Sequence, residues 1–214
     1  MLVSERMSRQ PITVNPDTGI DEALKTMRDE KIRRLPVINR RGLLVGIVSE
    51  KDLFLASPSP ATSLSIHELH YLLSKMTVSE VMTRDVITVT EYTPLEEAAR
   101  IMVDNKIGGL PVMRDDKLVG IITETDLFKT FIELLGAREQ GVRITMLVPE
   151  QPGVLAQISD EIANMGGNIV ALGTFLGEDA TNRLITMKVA DVGKEKLTLT
   201  MEAIGMELVD VRSS

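Results

Sequence analysis

The sequence predicts a mixed α/β (α+β) protein in which one small unit is used twice and is followed by a separate domain with the element order βαββαβ. Three observations predict this. The stretch Val45-Gly46-Ile47-Val48-Ser49-Glu50-Lys51-Asp52-Leu53-Phe54 returns as Val119-Gly120-Ile121-Ile122-Thr123-Glu124-Thr125-Asp126-Leu127-Phe128. Around it, Met7, Thr13, Thr18, Ala23, Met27, Lys31, Ile32, Leu35, Pro36 and Val37 recur 75 residues later as Met82, Thr88, Thr93, Ala98, Met102, Lys106, Ile107, Leu110, Pro111 and Val112. The offset falls to 74 at Gly46 and Gly120, so one residue is lost in a polar turn, where a slip leaves the core register intact. Beyond Gly141 the chain repeats nothing, and its apolar spacing alternates between strand and helix periods.

The first copy opens with Met7 to Val14 as a lead-in and strand, and Pro16-Asp17-Thr18 introduces a helix with Ala23, Leu24 and Met27 on one face. In the second copy Thr93-Pro94-Leu95-Glu96 reads as N-cap, Pro at N1 and Glu at N3. The apolar run Val45 to Val48 is a short buried strand, and Ser49 then stands at a helix N-cap with Asp52 at N3. S-x-x-D, and T-x-x-D at Thr123 and Asp126, is first of all a capping pair for orphan N–H groups. The same strand-to-helix junction is also a place for polar ligands, because free N–H groups and the helix dipole attract anions, and a carboxylate beside them would repel phosphate but can accept two hydrogen bonds from a ribose diol.

Ser57-Pro58-Ser59-Pro60-Ala61-Thr62-Ser63 is a connector, and Leu64 to Met76 reads as a helix with Leu69, Leu72, Leu73 and Met76 as its stripe. It carries both histidines, His67 and His70, beside Glu68. A metal site is disfavoured, because no further His and no Cys exists to complete one, and helix surface or packing between the repeats is the better assignment. After Asp126 a helix runs through Leu135 to Gly136, a natural stop, and Arg138 to Gly141 forms a polar linker.

In the last third, Val142 to Val148 alternates as a strand and Val154 to Met165 is a helix with Leu155, Ile158, Ile162 and Met165 inside. Gly166-Gly167-Asn168 closes it, and Ile169 to Phe175 and Leu184 to Val189 are strands joined by a polar turn. Lys194 to Ile204 is a second helix and Met206 to Val211 a last strand. The order βαββαβ corresponds to a ferredoxin-like fold.

Bulk properties narrow the function. At 214 residues the chain is long enough for two cores, and 43% hydrophobic with 26% charged residues is ordinary for a globular protein. The net charge of −7 and only six aromatic residues, none of them Trp, argue against nucleic acid as a partner. No apolar run approaches the ~18 residues of a membrane span, so no membrane association is expected. Met1 to Arg6 has no signal-like apolar region, which leads to a cytoplasmic expectation. The absence of cysteine excludes disulfides and thiolate chemistry, and no nucleophile–base pair can be assembled, so no catalytic residues and no enzyme activity are expected.

Both repeats resemble CBS domains, whose pairs form Bateman modules. The matching residues are Met82 to Val89 with their counterpart Met7 to Val14, the Lys-Ile-x-x-Leu-Pro-Val segments, and the two G-h-h-[ST]-x-x-D stretches. The resemblance covers about the first 135 residues, and three motifs recur twice in order. It implies an adenosine-containing effector, such as AMP, ADP, ATP or S-adenosylmethionine, with no cofactor required. The implied nucleotide-binding residues are Thr13, Val14, Arg33, Arg34, Pro36, Ile47, Ser49, Asp52, Thr88, Gly109, Pro111, Ile121, Thr123 and Asp126. The copies differ at Arg33-Arg34 against Gly108-Gly109, so the two clefts are expected to be unequal, unless the arginines form a solvated surface pair.

The last 70 positions or so resemble an ACT domain, through Pro152-Gly153-Val154-Leu155 opening a helix and Gly166-Gly167-Asn168-Ile169 closing it. Relatives dimerise through this domain and bind amino acids, which implies Gln151, Gly153, Val154, Leu155 and Asn168 as contacts. The alternative is that the glycines only permit tight turns and that the domain serves dimerisation alone. The expected partition is 1–61 for the first repeat, 62–76 for an inter-repeat helix, 77–136 for the second repeat and 142–214 for the last domain. This arrangement resembles the acetoin utilization protein AcuB family. It implies a homodimeric regulatory sensor acting on an unidentified protein partner, and the alternative is a dimerisation and docking module without a small-molecule ligand.

Overall fold

The computed structural model describes residues 1–56 and 76–213. The expected connector at 57–63, the helix up to residue 75 and both histidines lie outside the described residues. The chain forms two compact units, Met1–Leu127 and Phe128–Ser214.

In the first unit, α1 (Ile20–Asp29), β2 (Arg34–Ile38), β3 (Leu44–Ser49) and α2 (Glu50–Ala56) build one repeat after the short strand β1 (Ser8–Arg9). A short helix, α3 (Val78–Val81), precedes the equivalent set β4 (Val89–Thr90), α4 (Leu95–Asn105), β5 (Gly109–Arg114), β6 (Lys117–Thr123) and α5 (Glu124–Leu134). The repeat is visible in the register. Leu35 opposes Val48 and Pro36 opposes Ile47, as Leu110 opposes Ile122 and Pro111 opposes Ile121. The residue lost between copies lies in the hairpin turn: Arg114 pairs directly with Lys117, leaving Asp115 and Asp116 as a two-residue turn, whereas Ile38 pairs with Leu44.

Both helix starts expected from sequence shift toward the C-terminus. Helix α1 is capped by Gly19 and α4 by Pro94, neither with a side-chain cap. The recurring Thr18 and Thr93 instead close the preceding turns, their Oγ1 atoms accepting from the Asn15 and Thr90 amides, each at 3.1 Å. A threonine bonded backward across its turn has no geometry left for the helix ahead of it.

Each repeat lends its leading segment to the other. Strand β1 is antiparallel to β6 of the second repeat, giving the sheet order β1-β6-β5-β4, while Thr83 bridges Ile47 of the first. Of the expected strand from Met7 to Val14, only Ser8–Arg9 is a named strand, and Val14 makes an isolated parallel bridge to Val37. The hydrophobic cores follow the same exchange. Val3 is fully buried with Val89, Leu95, Ala98, Met102 and Leu110, and Val78 and Met82 are buried with Ile20, Met27, Leu35, Val48 and Leu53. Gly46 and Gly120 permit the close approach, because a Cβ at either would collide with the sulfur of Met82 or Met7.

In the second unit, β7 (Val142–Pro149), α6 (Val154–Asn164), β8 (Asn168–Leu176), β9 (Asn182–Ala190), α7 (Lys194–Ala203) and β10 (Glu207–Ser213) follow the expected order. The antiparallel sheet runs β10-β7-β9-β8. Its core holds Ile144, Met146, Ile158, Ile162, Met187, Leu197 and Met201. Leu155, expected inside, is 44% exposed, and its neighbour Val154 is the buried one. The left-handed Gly153 cap at φ +93° sets where the helix starts, and with it which residue of the first turn faces the sheet. Helix α5 stops at Leu134, and the turn beyond it passes through the expected Gly136, where φ is +57° and the Ala137 amide reaches back to the Ile132 carbonyl at 3.0 Å. The buried Lys188 ammonium of β9 holds the segment beyond, donating to the Gly136 carbonyl at 3.0 Å and the Glu139 carbonyl at 2.7 Å. Among the described residues no helix is long and apolar enough to cross a membrane.

Candidate ligand-binding site

The capping reading of S-x-x-D is realised in both copies. The Ser49 amide donates to Asp52 Oδ2 at 2.8 Å, the Ser49 hydroxyl to the same oxygen at 2.6 Å, and the Asp52 amide returns to Ser49 Oγ at 3.2 Å. At the second junction the Thr123 amide and hydroxyl reach Asp126 Oδ2 at 3.0 and 2.7 Å. A carboxylate can accept about four hydrogen bonds, so capping through Oδ2 is compatible with a ligand on Oδ1.

The first junction opens into a cavity of about 660 Å³. Ser49 and Asp52 enter it from the turn between β3 and α2, Ile47 from β3, and Arg33 and Arg34 from the start of β2. Facing them are Thr83, Asp85, Val86 and Ile87 from the segment before β4, and Lys106 to Gly109 before and at the start of β5. Four cations, Arg33, Arg34, Lys51 and Lys106, share the wall with three anions, Glu50, Asp52 and Asp85. A cavity of this size and mixed polarity accommodates a small polar molecule with an apolar ring.

Arg34 is the most constrained of the cations. Its side chain is 21% exposed and passes over Gly108 and Gly109 of the other repeat, with Nη2 3.6 Å from Glu124 Oε2. Burial pushes the guanidinium pKa down, and the Glu124 carboxylate opposes that shift. Gly108 and Gly109 therefore do more than lack charge: a Cβ on Gly108 would collide with both the Arg34 guanidinium and the Glu124 carboxylate. Arg33 is exposed.

The structure thus brings together Arg33, Arg34, Ile47, Ser49, Asp52 and Gly109. The other expected residues stand elsewhere. Val14 is in the core, 7% exposed. Pro36 and Pro111 are buried mid-strand opposite Ile47 and Ile121, Thr13 precedes the bridge at Val14, and Thr123 and Asp126 form the second junction. Thr88 lines a separate cavity of about 450 Å³ with Arg84, Val86, Met113 and Asp115. Thr83, Asp85, Val86, Ile87 and Lys106 were missed. Their motifs were visible, but an internal repeat carries no signal that its leading segment crosses to the other copy.

In the second unit a cavity of about 450 Å³ collects Gln151, Gly153, Val154 and Leu155, together with Glu150, Thr174, Arg183 and Ile185. Glu150 and Arg183 are paired at its rim, Oε2 to Nε 2.6 Å. Asn168 is not part of it. It pairs with Ala190, whereas the cavity sits at the Arg183 end of β9, roughly 23 Å away at about 3.3 Å per residue. Helix α6 starts at the cavity and runs away from it, so the turn that closes the helix falls at the opposite edge.

The CBS domain family matches residues 3–59 and 78–133, and the TTHA0829-like ACT domain family matches 140–212. A putative acetoin utilization protein (AcuB) from Vibrio cholerae is 34% identical, with a TM-score of 0.53, over 65% of this chain and 96% of that one. The CBS domain pair of protein MJ0100, solved with 5′-methylthioadenosine and S-adenosyl-L-methionine, is 32% identical over 65% of this chain and 98% of its own, TM-score 0.52. CBSX2 in complex with AMP is 34% identical over 61% of this chain and 96% of its own, TM-score 0.50.

Proposed function

Because the chain belongs to the CBS-domain family, with two CBS domains in tandem followed by an ACT domain, we propose that it is a regulatory sensor of an adenosine-containing ligand bound in the cavity at Ser49 and Asp52. The observation that carries this reading is the convergence, in one cavity of about 660 Å³, of a capped carboxylate, two arginines and the apolar Ile47, Val86 and Ile87. Asp52 accepts from the ribose diol, the arginines meet phosphate where the ligand has one, and the apolar residues enclose the base. The adenosyl ligands of the MJ0100 pair and the AMP of CBSX2 support this choice of ligand class. The role is regulatory rather than catalytic, and binding biases the packing of a homodimer that controls a protein partner.

The ACT domain contributes dimerisation and an amino-acid site at Gln151, Gly153, Val154 and Leu155, where the paired Glu150 and Arg183 offer a partner to each charge of a zwitterion. A module that only dimerises and docks is favoured by one observation: Phe128, Phe131 and Leu134, at helical spacing on α5, are 66%, 50% and 53% exposed.

Calorimetry of adenosine, AMP, ADP, ATP, S-adenosylmethionine and the common amino acids against the full chain tests both. Saturable binding of an adenosyl compound, weakened in Asp52→Ala, is expected. Absence of heat and of thermal shift with every compound would leave the docking module.

A further inference from the structure

Arg34 does not stand in the cavity as an unattached cation. It leaves β2 of the first repeat, runs along Gly109 and Gly108 of the second, and ends beside Glu124, the first residue of α5. The slot it lies in exists because residue 108 is glycine. Its partner is the more open of the two, Glu124 being 49% exposed against 21% for Arg34. A half-buried guanidinium holds a countercharge strongly, and a phosphate entering the cavity must share that cation with the carboxylate already there. Each further phosphate charge brought near Arg34 also meets Glu124, and Asp52 from the same wall, as like charges.

We propose that Glu124 is a specificity-determining residue of the adenosyl-ligand cavity, withholding part of Arg34 from ligand phosphate and biasing the site toward ligands with few phosphate charges. This rests on the adenosyl-ligand reading above. Nothing in the motif containing Glu124 marks it for the first cavity, because it belongs to the other repeat's strand-to-helix junction.

The test is calorimetry of adenosine and ATP, at one ionic strength, on the full-length parent, E124Q, G108A and the double variant. E124Q is expected to leave adenosine affinity unchanged and to tighten ATP about tenfold, the size of one partly screened charge contact. G108A displaces the pair, so adding E124Q to it is expected to change the ATP-to-adenosine ratio by less than about twofold, which isolates the coupling. An unchanged ratio in E124Q, or equal effects on both ligands, overturns the inference while adenosine binding to the parent upholds the sensor. If adenosine and ATP both fail to bind the parent while another adenosyl compound binds, the inference falls and the sensor stands; if no adenosyl compound binds, both fall.

Discussion

Asp52 and Asp126 make the same cap but face different surroundings, which separates structural from ligand effects. Losing an N-terminal cap contact costs about 1 kcal/mol in either place. Asp52→Ala and Asp126→Ala are therefore expected to lower the melting temperature of the first unit similarly, and only Asp52→Ala to weaken an adenosyl ligand of the first cavity, by tenfold or more for about 1.5–3 kcal/mol in charged hydrogen bonds. Weakening confined to Asp126→Ala, by calorimetry, would place the ligand at the second junction, and equal weakening in both would show an effect of cap loss rather than of ligand contact. Glu91 gives a pH signature. It is 6% exposed and held by Arg114 through bonds of 3.0 and 2.6 Å, which keep its carboxyl below the usual range against the opposing effect of burial. A folded pKa below the unfolded one gives stability that is complete above about pH 4.3 and lost as pH falls through the folded value. Urea titrations from pH 7 to 3 are expected to show a smaller acid-side loss in Glu91→Gln than in the parent.

At the scale of elements, the sequence reports equivalence better than connection. The strands at Val45 to Val48 and Val119 to Ile122, and the helix around Ala23 and Met27, were legible because a short apolar run and a period-3.6 pattern are local. The recurrence of Thr18 and Thr93 was legible too, but not its purpose, since a threonine two residues before a helix has the composition of a cap whether it bonds forward or back. The exchange of leading segments was hidden for another reason: Met7 and Met82 are interchangeable in a repeat, and only packing decides which glycine each one covers. That packing is testable. Gly120→Ala drives a Cβ into the sulfur of Met7 and to 3.0 Å from the Ser8 carbonyl, an overpacking worth about 1–3 kcal/mol. Hydrogen exchange is expected to rise at Val3 to Arg9 and in β6, while the hairpin of β2 and β3 keeps its protection. Uniform acceleration through the first unit would show instead that the leading segment cannot open by itself.

For the whole molecule, the distinct cores of the two units set how a ligand is felt. The Phe128–Ser214 unit has its own sheet and its own buried cluster, from Val142 to Met206. A ligand that binds only the native first unit stabilises that unit by RT ln(1 + [L]/Kd), about 2.7 kcal/mol at a hundredfold excess over Kd. Helix α5 carries the chain from one unit into the other, beginning at Glu124 and ending at Leu134. Differential scanning calorimetry with a saturating adenosyl ligand is expected to move one transition upward and leave a second in place, and an amino acid bound at Gln151 and Arg183 to do the converse. If both transitions rise together with either ligand, the units melt as one block, and a signal received at Asp52 is then energetically present in the ACT sheet without any further device.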